Sequence, residues 1–475
     1  MAGYKGNNRI APPSVSTEDS FSDRDQGIMD CLTSFYRCPK GYIRLAPRVS
    51  SSAETGYFRF DMTICHGVLQ GAKAAKSPKG TLYDASREVE VKDGTLYLPF
   101  DPSQVIENLR CERYTSDWRH EEPMSALSRG YYFIRPILPV GLRRHLQKFY
   151  LRGWEKIPFP RWPVDTSVDD LLGQLMLLAV RSSEVKQVPF IWFWPDGAPS
   201  AAIMTHDVET TSGRDFCATL MDIDESFGIK ASFQVVPEER YVVERDFLSS
   251  IRDRGFEVVV HDLNHDGHLY RTREQFLERA AKINAYGKQY GADGFRAGVL
   301  YRKQVWYDAL DFAYDMSVPN VAHLDPQRGG CCTVMPYFIG NILELPVTAT
   351  QDYSLFNILH EYSIDLWKRQ IDLIMEKHGL MSFIVHPDYV VTAQERGVYE
   401  QLLNYLRGLK KEKGVWLSTP GEVNRWWRQR DQMTLVSDEN GWHIEGAGCD
   451  RACIAYASER DGQLSLSLET ASLAR

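Results

Sequence analysis

His261 and His265, four residues apart in the run His-Asp-Leu-Asn-His, have the spacing best suited to chemistry in this chain. Placed on one face of a helical turn, both imidazoles reach a single metal ion. The run follows the apolar segment 256–260, a strand by its composition. In parallel α/β domains functional groups gather at the carboxyl ends of strands, which is where this pair falls. A second group, Thr205-His206-Asp207-Val208-Glu209, follows the apolar run 201–204. Buried together, its two acids repel unless a cation holds one and a proton or an arginine the other. The following Thr210-Thr211-Ser212 reads as the cap of a helix starting near Gly213, a role compatible with a metal role for one acid. Arg296 in GFRAGVLY and His386 in FIVHPD each lie at or just after a further predicted strand. Two acids, two spaced histidines, an arginine and a separate histidine supply a metal site with an open position, a base and an acid.

These residues need elements to bring them together. From about residue 191 to 430, short apolar strands alternate with helix-length segments, the pattern of a parallel α/β domain, open or closed into a barrel. Residues 1–27 are polar and have the composition of a disordered tail. Residues 28–190 mix short alternating segments with a helical stretch from about 136, an α+β region of unassigned role; three prolines in IPFPRWPVD interrupt that stretch. Past Arg430 the helical signal stops, and 431–475 reads as a small antiparallel β appendage with Gly/Asp/Asn turns.

In this order the residues resemble the NodB-type polysaccharide deacetylases, carbohydrate esterase family 4, over about 195–430. THDVE is similar to that family's first motif (TFDDG), HDLNH to the second (H-S/T-x-x-H), FRAGVLY to a degenerate third (RxPY) and FIVHPD to the fifth (LxxH). AYDMS near Asp315 is similar to the weak fourth, and GIKASFQVVP to the family's second strand. The resemblance implies a distorted (β/α)7 barrel and a zinc-dependent hydrolase of N-acetyl groups on an amino sugar, in a polysaccharide or its precursor. It makes His261 and His265 metal ligands with one acid of THDVE, and the other acid the base. The family's order makes Asp207 the base and Glu209 the ligand; with Val208 between them the two roles stay exchangeable. Arg296 then steadies the base, and His386 protonates the leaving amine. His206 stands where the family has Phe and is expected to pack or hydrogen-bond behind the site. His268 is a decoy ligand, and Asp266 caps or buttresses.

Composition narrows the remaining choices. Lys and Arg number 55 against 63 Asp and Glu, the reverse of a nucleic-acid footprint. Nine cysteines, an odd number without any CxxC, fit a reducing compartment. The start MAGYKGNNRIAPPS lacks the charged start and apolar core of a secretion signal, so a cytoplasmic location is expected, with a precursor of a surface glycan as substrate. A basic stretch at 143–156, interleaved with aromatic residues, reads first as a solvated helix packed on the barrel and second as a weak peripheral membrane contact. Two rival functions stay open: a metal-dependent amidase on a small cyclic amide or ureide, and a glycan-binding protein on a decayed barrel.

Overall fold

The strand Ala201–Val208 is buried at every position, as befits the middle of a parallel sheet covered on both faces. In the computed structural model, which describes residues 31–48, 55–115, 153–183, 186–439 and 441–469, it belongs to a nine-stranded sheet in a mixed α/β fold. The order along the curled sheet is Tyr337–Ile339, Ile342–Glu344, Tyr314–Asp315, Gly294–Arg296, Glu257–His261, Ala231–Val235, Ala201–Val208 and Leu380–Ile384. A ninth strand, Trp416–Ser418, pairs with the first three residues of Ala201–Val208, whose last five pair with Ala231–Val235. Every pairing is parallel except the hairpin of Tyr337–Ile339 with Ile342–Glu344. The two ends of the sheet are bridged by extended chain rather than by a ladder. Val347 N donates to Val318 O (2.9 Å), Ala349 N to Ser382 O (3.1 Å) and Thr348 Oγ1 to Leu380 O (2.7 Å). The expected seven-unit barrel thus takes the form of a curled sheet with one antiparallel hairpin and an irregular seam.

Alternation along each strand separates the two faces of the sheet. Ala202, Met204, Val208, Val258, Val260 and Phe295 join an apolar cluster with Leu220, Ile251 and Ile283 of the covering helices Thr211–Ser226, Arg245–Asp253 and Arg273–Tyr290. Ile203, Val259, Leu343 and Leu345 point the other way, into a second cluster. That inner cluster runs on through Trp192 and the helix Ser167–Ser182 to Phe58, Leu98 and Phe100 of the N-terminal elements. Those elements are a hairpin (Thr55–Phe60, Thr63–Val68), a three-stranded sheet (Leu45–Pro47, Thr95–Leu98, Glu90–Lys92) and the helix Pro102–Arg110. Asp101 Oδ1 caps that helix by accepting from Ser103 N (2.9 Å) and Gln104 N (3.3 Å). One continuous core therefore joins the N-terminal elements to the inside of the barrel.

At the other end of the chain, Ile454–Arg460 pairs antiparallel with Gln463–Leu468 and also with Gln187–Ile191, the strand that leads into the barrel. The expected boundary at 190/191 runs through this three-stranded sheet, so these C-terminal strands are shared with earlier chain rather than appended. Residues 1–27, expected to be disordered, and 143–152 of the basic stretch lie outside the described residues; Trp154–Lys156 forms a single 3₁₀ turn. Among the described residues, which include all nine cysteines, no disulfide is formed. Among the described residues no helix is long and apolar enough to cross a membrane.

Candidate metal centre

Period-two geometry explains how THDVE works with a valine between its acids. Thr205, Asp207 and Glu209 continue the inner face of Ile203, whereas His206 falls on the helix-covered face with Met204 and Val208. His206 accordingly lies behind the site, its Nδ1–H donating to Val385 O (3.0 Å) and its Nε2 paired with Asp224 Oδ2 (3.0 Å). The helix after the strand starts without either acid: Thr210 Oγ1 caps it by accepting from Gly213 N (3.0 Å). His261 ends the strand Glu257–His261 in register with Arg296, so both side chains enter the same inner space.

The helical turn expected for His261 and His265 is not formed. His261 is held in the sheet, and the chain then bends through Asp262 (φ +57°) and His265 (φ +54°), both left-handed. Sheet pairing overrides the i, i+4 pattern, and the loop returns His265 so that the two rings lie 4.9 Å apart between centroids. His265 Nε2 is 2.9 Å from Glu209 Oε1, and His261 Nε2 is 3.6 Å from the same oxygen and 3.7 Å from Asp207 Oδ2. One ligand atom from each of Glu209, His261 and His265 fits within 4.8 Å of the others; Asp207, Glu209 and His386 form a second such group.

Tautomers follow from the hydrogen bonds. His261 Nδ1–H donates to Arg296 O (3.1 Å), which makes Nε2 the ring nitrogen that faces the acids. Both His261 Nε2 and His265 Nε2 are buried without a hydrogen-bond partner. His265 Nε2 approaches Glu209 Oε1 to 2.9 Å, and Arg240 Nη2 lies 3.4 Å from His265 Nδ1 on the other side of the ring. Arg240 Nη2 donates to His265 O (2.5 Å) and steadies the loop. Two orphaned imidazole nitrogens and one carboxylate oxygen fit a divalent metal with a position left open, a donor set suited to zinc.

The acids are kept ionised. Burial alone raises the Asp207 carboxyl, but Arg296, then His261 and His386, outweigh it and hold it below the usual range. Arg296, fully buried, donates from Nη1 to Asp207 Oδ1 (2.6 Å) and Thr205 Oγ1 (2.8 Å) and from Nε to Met316 O (3.0 Å). Glu209 is also desolvated, yet His265, His261 and His386 hold it well below its ordinary value. His386 brings Nε2 to 3.4 Å from Glu209 Oε1. Burial lowers its imidazole, but Asp352 and then Glu209 lift it well above the ordinary histidine value.

All six side chains singled out in the sequence, Asp207, Glu209, His261, His265, Arg296 and His386, therefore meet in one space. His268 does not: its side chain is 40 % exposed and lies beside Asp266, which pairs with Arg279 (2.7 Å to each oxygen). Two partners had no signal in the sequence. Asp352 accepts from His386 Nδ1 (2.6 Å) and His386 N (2.7 Å); it opens the short helical segment that runs into the π-helix Ser354–Leu359, with no motif around it. Asp224 is an acid on the buried side of an ordinary amphipathic helix.

No family model and no curated protein matches the chain. Solved structures do, each over about half of it and at low identity. A Mycobacterium smegmatis protein assigned to the polysaccharide deacetylases is 17 % identical, with 50 % of this chain and 93 % of that one covered and a TM-score of 0.41. A peptidoglycan deacetylase from Bacillus subtilis is 11 % identical (49 % and 93 % covered, TM-score 0.32). A family 4 acetyl xylan esterase from Clostridium thermocellum, in complex with a cobalt ion, is 14 % identical (48 % and 91 %, TM-score 0.31). The chain is thus similar to solved polysaccharide deacetylases.

Proposed function

We propose that this protein is a metal-dependent hydrolase that removes N-acetyl groups from an amino sugar, with His261, His265 and Glu209 holding one divalent cation, zinc by preference. The observation that carries the reading is the convergence of two partnerless buried imidazole nitrogens on one ionised carboxylate, flanked by a second acid and a third histidine. A cation bound there supplies Lewis acidity to water and to the acyl oxygen.

The side chains do the rest. Asp207, kept ionised by Arg296, is the base that takes a proton from the attacking water. Glu209 Oε1 is the oxygen nearer to both histidines, which favours it as ligand and leaves Asp207, already bound on Oδ1 by Arg296, as base. Water oxygen bonds to the acetyl carbon, the C–N bond breaks, and acetate leaves. His386, protonated near neutral pH because Asp352 holds Nδ1–H, delivers a proton from Nε2 to the departing nitrogen. Arg296 and Asp352 are positioning groups: one fixes the charge of the base, the other the tautomer of the acid.

The test is acetate release from a panel of free, nucleotide-linked and lipid-linked N-acetylhexosamines, with added zinc and with chelator. Zinc-dependent acetate formation supports the reading. Stoichiometric zinc with no acetate from any member of the panel contradicts it.

A further inference from the structure

Glu112 ties the N-terminal elements to the rim of the metal site. It lies just past the helix Pro102–Arg110, is 5 % exposed, and forms a forked pair with Arg302 of the barrel, itself 3 % exposed. Its Oε2 accepts from Arg302 Nε (2.6 Å), and its Oε1 accepts from Arg302 Nη2 (2.5 Å) and from Gly330 N (2.6 Å). A planar two-point pairing out of water fixes the guanidinium in position and orientation, not only in charge.

What Arg302 then holds is the loop Gly298–Arg302. Its Nη1 donates to Leu300 O (3.0 Å), and Gln327 Oε1 accepts from Arg302 N (2.9 Å). Within the loop Val299 (φ +62°) and Leu300 (φ +53°) are consecutive left-handed residues, and for a β-branched valine that conformation is a true outlier. Such backbone persists only where the surroundings over-determine it. The loop's other end backs the proposed ligand: a Cβ on Gly298 would stand 2.9 Å from His265 Cδ2 and 3.2 Å from His265 Cγ. Leu300 meanwhile packs with Val347 and Ile384, the latter two residues before His386.

We infer that Glu112 is a positioning residue of the metal centre, holding the strained loop Gly298–Arg302 against His265 through its forked pair with Arg302. The inference rests on the metal reading above and gives the N-terminal elements a task in it, as the support of the site's wall. A simple staple between two parts of the chain would strengthen their union without affecting the loop or the metal. Tyr337 offers the control, since its hydroxyl donates to Arg110 O (3.1 Å) and so bonds the same helix to the barrel without touching the loop.

Full-length Glu112→Ala, Arg302→Lys and Tyr337→Phe are compared by two readouts. One is amide hydrogen exchange of residues 298–302 in metal-free protein; the other is zinc affinity by competition with a chelator. Glu112→Ala and Arg302→Lys are expected to speed exchange in the loop and weaken zinc binding about 10- to 100-fold, the usual effect of losing an outer partner of a metal ligand. Tyr337→Phe is expected to leave both at the wild-type level. Should Glu112→Ala fail to fold, Arg302→Lys, which keeps the charge and loses the fork, decides the matter alone. Wild-type exchange or wild-type zinc affinity in the variants, with only a lower melting temperature, overturns this inference and spares the metal reading. Wild-type protein that binds no zinc overturns both.

Discussion

Two pairs of buried acids occupy the same sheet on opposite faces, with their carboxyl groups shifted in opposite directions. Asp207 and Glu209 lie on the inner face, where Arg296 and three histidines keep both carboxyls ionised. Asp315 and Glu344 are neighbours in register on the helix-covered face, with Phe295 and Ile342. Burial raises Asp315, and burial together with Asp315 raises Glu344 well above its ordinary value. The outer pair is met directly by hydrogen bonds: Asp315 accepts from Ser317 N (3.0 Å) and Ser317 Oγ (2.7 Å), and Glu344 Oε1 from Val318 N (3.0 Å). Two close carboxylates are therefore not by themselves a reactive site; the groups facing them decide. Arg296, on the strand beside Asp315, pairs directly with Asp207, and its weaker pull on Glu344 does not offset burial and the Asp315 charge.

The comparison can be broken by substitutions of graded effect. Asp207→Asn is expected to slow turnover about 100- to 10,000-fold while zinc content stays at the wild-type level, as read by acetate release and metal analysis. His386→Ala should fall in the same range, again with zinc retained. An equal loss on changing Asp315 to Asn would erase the distinction between the pairs. Arg296→Leu leaves the buried Asp207 charge uncompensated and should cost about 3–5 kcal/mol of stability, visible as a lower urea midpoint.

The smallest effect tests the sign of the difference. Glu344 has a raised folded pKa, so the stability it contributes is complete below its unfolded value of about 4.3 and is lost as the pH rises. Asp207 has a lowered one, so its contribution is complete above its unfolded value of about 3.9 and is lost as the pH falls. Glu344→Gln should accordingly stabilise the protein at pH 8 relative to wild type more than at pH 5, as read from urea midpoints. A larger benefit at pH 5 would contradict the assignment.

Much of the site was legible in the sequence because strand alternation and strand-end position are local signals. The apolar run ending in THDVE places its acids at a carboxyl end, and parity alone separates Asp207 from His206. The helical turn expected for His261 to His265 failed because His261 answers to Arg296 across the sheet, a non-local constraint that a four-residue spacing does not carry. Asp315, taken with the weak fourth motif, turned out to face the helices, while the acid that orients His386 is Asp352, at the start of a short helical segment that no motif marks. Glu112 was equally invisible, since nothing in Arg-Cys-Glu-Arg announces a partner 190 residues away. The sharing of Gln187–Ile191 with the C-terminal strands was hidden for the same reason.

The central claim is that His261, His265 and Glu209 hold one cation. Its most direct test is equilibrium dialysis against zinc followed by metal analysis of wild type and of the His261→Ala/His265→Ala double variant. One zinc per wild-type chain and none in a folded double variant is the predicted result. Zinc retained at full stoichiometry by the double variant would contradict it.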